Sequence, residues 1–143
     1  MHIEGKCHCG NISYRLHWPG DGTAMPVRAC GCTFCTKHGG VWTSHRDSEL
    51  VATILDESLI SKYRFGTGTA EFYVCGRCGA VPFVTSVIED HLYAVVNINT
   101  FEGVDPASFV RATTNFDAED TGSRLARRKR NWIQSVQISS SGA

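Results

Sequence analysis

The chain has no net charge, no long apolar run and no internal repeat. Its 14 lysines and arginines are balanced by 14 aspartates and glutamates. That removes the global basic field that draws nucleic acid, and there is no acidic excess either. No stretch approaches the ~20 consecutive apolar residues of a membrane span. The start, Met1-His2-Ile3-Glu4-Gly5-Lys6-Cys7, has no charged leader followed by an apolar run and is not expected to act as a secretory signal. These absences lead to the expectation of a cytoplasmic protein with no membrane partner; on oligomeric state the sequence is silent. With no low-complexity linker, the 143 residues read as one domain over 1–138, and the polar stretch 139–143 as a disordered tail.

The hydrophobic pattern is mostly of strand period. Ile12, Tyr14, Leu16 and Trp18 alternate with Ser13, Arg15 and His17, as in a half-buried strand. A short strand entering Cys30 is expected next. Further strands are expected over 41–45, 50–55, 61–65, 71–74, 80–87 and 91–99, separated by turn signals such as Gly66-Thr67-Gly68-Thr69 and Glu89-Asp90. One helical turn fits Thr33 to His38. Only 125–132 reads as a longer helix. The fold class is mainly β, with two sheets folded over each other. Trp18, Trp42, Trp132, Phe72, Tyr73, Phe83 and Tyr93 are candidate core residues.

Cysteine is abundant and clustered. Seven residues fall into Cys7-His8-Cys9, Cys30-Gly31-Cys32-Thr33-Phe34-Cys35 and Cys75-Gly76-Arg77-Cys78. In a reducing compartment such spacing favours metal over disulfides, and seven thiols cannot all pair. Cys75-Gly76-Arg77-Cys78-Gly79 reads as a zinc knuckle, its glycines letting backbone N–H groups aim at the sulfurs. Cys7-His8-Cys9-Gly10 has the same logic. Each supplies two ligands, so Cys7, Cys9, Cys75 and Cys78 together make a closed structural zinc site.

Cys30, Cys32 and Cys35 wrap one side of a second metal and leave the other open, unless His38 or His45 closes it. Three thiolates on Zn²⁺ carry net charge minus one. That suits holding an incoming thiolate better than activating water, and it favours cationic neighbours; Arg28, Lys37 and His38 flank the cluster.

The three clusters, in this order and with Gly5-Lys6 before the first and Thr36-Lys37-His38-Gly39-Gly40 after the second, resemble the glutathione-dependent formaldehyde-activating enzyme family, which includes centromere protein V. The resemblance spans roughly the first ninety residues. It implies a β-tent of two antiparallel sheets carrying zinc knuckles, with the short C-terminal helix in addition, and two zinc ions. It implies the same partition, four structural cysteines and an active site at Cys30, Cys32 and Cys35. It also implies a carbon–sulfur lyase-type reaction, in which glutathione or a similar thiol adds to formaldehyde or another small aldehyde. His38 and His45 are the candidate acids for the alkoxide formed, because histidine titrates near neutral pH.

Two other readings compete. The run Arg124, Arg127, Arg128, Lys129 and Arg130 with Trp132 has the composition of a nucleic-acid contact, but it serves equally as a solvated helix face or as partner to Glu119 and Asp120. At zero net charge the second use is favoured. The third reading is a zinc-stabilised binding scaffold without catalysis.

Overall fold

Alternation of apolar and polar residues builds the first sheet. In the computed structural model, which describes residues 1–140, Ile12, Tyr14, Leu16 and Trp18 are all buried as their spacing predicts. The strands in chain order begin with β1 (His2–Lys6), β2 (Ile12–His17) and β3 (Met25–Cys30). The helix α1 (Thr33–His38) leads to β4 (Val41–Thr43), β5 (Glu49–Ile54), β6 (Ile60–Tyr63) and β7 (Glu71–Cys75). Then come β8 (Phe83–Ile88), β9 (His91–Asn97), β10 (Phe101–Glu102) and β11 (Phe109–Thr114), followed by α2 (Thr121–Asn131) and β12 (Ser135–Ser140).

Two sheets result, as expected. The first has the order β10-β1-β2-β5-β12 and the second β11-β3-β4-β9-β8-β7-β6. Their strands are antiparallel except at one edge of each, where β11 lies parallel to β3 and β12 parallel to β5. The main core lies between the sheets. Ile3, Ile12, Leu16, Leu50 and Ile54 of the first meet Met25, Val27, Phe83 and Val96 of the second.

The central strands of the second sheet are buried on both faces. In β8, Phe83 packs into the main core while its neighbour Val84 belongs to a second cluster with Trp42, Phe72, Val95 and Trp132. Continuous burial of this kind is what a sheet covered on both sides requires. The outer cover consists of α1 and the end of α2, so cysteines of the α1 segment sit directly over the strands.

Several boundaries differ from expectation for local reasons. The strand expected from residue 80 starts at Phe83, because Pro82 has no N–H to give to a ladder. The helix expected over 125–132 begins at Thr121, because the Asp120 carboxylate accepts the Ser123 N–H at 2.7 Å and caps the helix ahead of Gly122. Ser139 and Ser140, expected in the tail, complete β12 opposite Thr53 and Ile54; residues 141–143 lie outside the described residues.

Gly5 shows how closely the first sheet is packed. A Cβ there would enter the ring of Tyr14, whose hydroxyl is hydrogen-bonded to Thr100 at 2.7 Å. Gly5→Ala is therefore expected to cost about 1–3 kcal/mol and lower the melting temperature by roughly 5–10 °C, measured by thermal unfolding. An unchanged melting temperature would contradict this packing.

Candidate thiol-metal centre

The two knuckles are built alike. The Cys7 N–H donates to Ile12 O at 2.9 Å, and the Ile12 N–H returns to Cys7 Sγ at 3.3 Å. Across the sheets the Cys75 N–H donates to Ala80 O at 2.9 Å, and the Cys78 N–H points at Cys75 Sγ at 3.5 Å. Gly10 and Gly79 both adopt positive φ, 85° and 81°, which lets each chain turn back on its sulfurs.

The knuckles meet although 66 residues separate Cys9 from Cys75. Their four Sγ atoms lie within 4.8 Å of one another, with Cys7–Cys9 at 3.8 Å and Cys9–Cys75 at 3.5 Å. Thiolates about 2.3 Å from a tetrahedral zinc would be about 3.8 Å apart, so the donor set and its size fit that ion. Burial pushes the Cys7 thiol up to about 12. Burial also pushes Cys78 up, but N–H groups of Ala80 and Cys9 and the neighbouring thiols outweigh it and bring Cys78 down to about 6.

The three remaining cysteines converge at the elbow between β3 and α1. Cys30 ends the strand. Cys32 caps the helix and accepts the Cys35 N–H at 3.3 Å; Cys35 is buried in the helix itself. Gly31 is held by its N–H to Thr114 O at 2.7 Å. The three sulfurs also lie within 4.8 Å of one another. Hydrogen bonding from Cys35 lowers Cys30 to about 5, and that same bond holds Cys35 protonated. The three thiols thus do not ionise independently: hydrogen bonding favours the thiolate at Cys30 and the thiol at Cys35. Full ionisation needs a cation among them, which is the position a metal would take. All seven cysteines are free thiols.

These sulfurs form one end of a cavity of about 410 Å³. Trp42, Phe65, Phe72, Val84, Val95 and Trp132 make its apolar wall. Arg28 from β3 and Arg124, Arg127 and Arg128 from α2 line the same cavity, with Asp117 and Glu119. Arg127 grips Glu119 at 3.1 Å and lies 3.6 Å over the Phe116 ring. Arg128 is buried, donates to Thr69 Oγ1 at 2.9 Å and to Ser86 Oγ at 3.2 Å, and stacks on Trp132. Burial, with Arg127 adjacent, pulls Arg28 and Arg128 each down to about 10. Both remain charged at neutral pH.

The structure thus brings together each of the two cysteine sets read from spacing, and it sets Arg28 beside the second. It does not bring the histidines there. The His38 ring packs on Phe34 and Trp42 with ring centroids at 4.5 and 6.0 Å; its Nε2 is buried without a partner, and the residue is not in the cavity wall. His45 packs on Trp18 and accepts the Asp47 N–H at 3.1 Å. Lys37 is exposed on α1. The α2 wall is what the sequence reading missed as part of the site. The signal was present: Arg124, Arg127 and Arg128 stand at i, i+3 and i+4 and share a helix face, whereas Lys129 and Arg130 are exposed.

Comparison with known proteins places the chain. The profile of the family described as glutathione-dependent formaldehyde-activating enzyme matches residues 2–116. A crystal structure of a Rhodobacter sphaeroides protein superposes with a TM-score of 0.56 at 25% identity, over 78% of this chain and 99% of that one. The chain belongs to the glutathione-dependent formaldehyde-activating enzyme family.

Metal analysis of the purified protein is expected to give two zinc ions per chain, and one for Cys32→Ser with the melting temperature little changed. Cys75→Ser should lose the folded state, because a structural zinc contributes on the order of 10 kcal/mol to folding. A folded Cys75→Ser protein without zinc would refute the structural assignment.

Proposed function

We propose that this member of the family binds glutathione or a similar thiol in the cavity and adds it to formaldehyde or another small aldehyde. The observation that supports this reading is the cysteine triad lining a cavity that also carries aromatic and arginine side chains. Zinc held by Cys30, Cys32 and Cys35 would supply the positive charge that keeps an incoming thiol ionised at neutral pH. With the second ion at Cys7, Cys9, Cys75 and Cys78, the cofactor requirement is two zinc ions per chain.

The chain's own residues do the rest. Trp42, Phe72 and Trp132 in the cavity lining exclude water, which strengthens the attraction between the sulfur and the arginines that line the same cavity. Arg28 and the α2 arginines offset negative charge that a second anion would otherwise add to the triad. Confinement next to the sulfur makes the aldehyde addition effectively unimolecular. The sulfur lone pair forms the C–S bond, the carbonyl π pair moves to oxygen, and that oxygen takes a proton from solvent. The proton the thiol lost has gone to solvent, so thiol and aldehyde combine to an S-hydroxymethyl adduct with nothing left over. In this reading His38 steadies Trp42 from outside the cavity and is not the acid.

The competing assignment of the basic run to nucleic acid has less support, because Arg124, Arg127 and Arg128 are turned into the cavity wall and Lys129 pairs with Glu89 at 2.8 Å.

The test is formaldehyde consumption by NMR in the presence of glutathione, with glutathione affinity measured separately by calorimetry. Wild type should bind glutathione and accelerate adduct formation. Cys32→Ser should lose both while keeping its fold. Full activity in that variant would sink the proposal; binding without acceleration in wild type would make the protein a thiol carrier.

A further inference from the structure

Addition of a thiolate to an aldehyde turns the carbonyl oxygen into an alkoxide, and ionised sulfurs offer that oxygen no donor. The cavity lining does. Of its four arginines, Arg28, Arg124 and Arg127 are half-buried, whereas Arg128 is only 7% exposed. Glu119 pairs with Arg124 and Arg127. Among the described residues, Arg128 pairs with no carboxylate. A guanidinium taken out of water without a counter-charge is unfavourable, so negative charge that develops beside it is strongly stabilised.

The fork of Arg128 is held in place and leaves one nitrogen free. Its Nη1 donates to Thr69 Oγ1 at 2.9 Å and to Ser86 Oγ at 3.2 Å. Ser86 Oγ in turn donates to Thr69 O at 2.7 Å, so β8 and the loop before β7 grip the nitrogen together. The Trp132 ring supports the guanidinium face, its centroid 4.9 Å from Cζ. Nε is buried without a partner. Nη2 makes no hydrogen bond among the described residues and is not sealed from solvent. A carboxylate engages arginine through two parallel N–H groups. With Nη1 occupied and Nε closed off, Arg128 presents a single nitrogen, which suits a single oxygen atom. Trp132 belongs to the buried cluster that also contains Cys32 and Cys35, so Arg128 rests on the same packed group as the triad, and both line one cavity.

We propose that Arg128 is a catalytic residue: its Nη2 donates to the aldehyde oxygen and stabilises the alkoxide that forms as the C–S bond closes. The sulfur supplies the bonding pair, the carbonyl π pair becomes a lone pair on oxygen, and solvent delivers the proton while Arg128 keeps its own. Thr69, Ser86 and Trp132 are positioning residues. A donor fixed before the charge develops, in a site shielded from water, needs no reorganisation at the moment of reaction. The proposal rests on the reading of the cavity as a thiol site. Arg128 lies on α2, beyond the residues 2–116 matched to the family, so the family match does not supply this role.

The experiment measures glutathione affinity by calorimetry and adduct formation with formaldehyde by NMR, on zinc-loaded wild type, Arg128→Gln and Thr69→Val. Zinc content and melting temperature are checked for each. In Arg128→Gln, kcat and kcat/KM for formaldehyde are expected to fall together by about 10²–10³-fold, the pattern of an interaction made only in the transition state. The Kd for glutathione should change less than about threefold, because the thiol does not use this nitrogen. Thr69→Val keeps the charge but loosens the fork, and about a tenfold fall in kcat is expected, again at unchanged Kd. Loss of glutathione affinity in Arg128→Gln with kcat preserved would make Arg128 a thiol ligand and overturn the proposal. An unchanged rate in either variant would also overturn it; if Arg128→Gln does not fold, Thr69→Val decides alone. Wild type that binds glutathione without accelerating adduct formation would end the role given to Arg128 and leave the thiol site standing. Wild type that binds no thiol would remove both.

Discussion

Thiols packed within 4.8 Å of one another cannot all ionise unless a cation lies among them, and the protein holds two such groups. Much of the architecture follows from assembling them. The four-cysteine group ties the loop after β1 to the end of β7, and so fastens the first sheet to the second at one corner. The three-cysteine group needs an elbow, and β3 running into α1 provides it. Gly31, held to Thr114 by its N–H, fixes that elbow against β11. The parallel edge strand that looks peripheral is thus what braces the reactive corner.

The two faces of the second sheet divide the labour. One face, through Phe83 and Val96, makes the core that stabilises the domain. The other, through Val84, Val95, Trp42 and Phe72, floors the cavity. Stability and chemistry therefore interleave residue by residue along β8, and neighbouring positions in the sequence answer to different demands.

The cysteine clusters were the most legible part of the sequence, because C-x-C and C-x-x-C spacings are local and a turn of chain brings the thiols together. The central strands were legible for the same reason, as in the alternation from Ile12 to Trp18. The edge strands β11 and β12 were not. No residue of β11 is buried, so it carries no alternation to detect, and its partner β3 lies more than eighty residues earlier. The cavity was half legible. Arg28 could be placed beside the triad from its position two residues before Cys30. The arginines of α2 could be seen as a basic run, but only tertiary packing shows which of them face inward. His38 is close in sequence to Cys35, but it stands at the end of α1, where its ring turns to Phe34 and Trp42, a placement that only tertiary packing shows.

The order in which the ribosome delivers these parts has its own logic. The first knuckle emerges early but waits for Cys78 before its group of four cysteines is complete. Once β9 has followed, the central strands and both sulfur clusters are available, and the domain can condense around them. The pieces still to come are β10, which pairs with β1, and then β11, α2 and β12, which brace the elbow, line the cavity and cover the exposed edge of β5. A chain stopped near residue 116 would hold its thiols in place with the pocket open to water on the arginine side. The α2 segment is the step that turns an open cluster of thiols into an enclosed site.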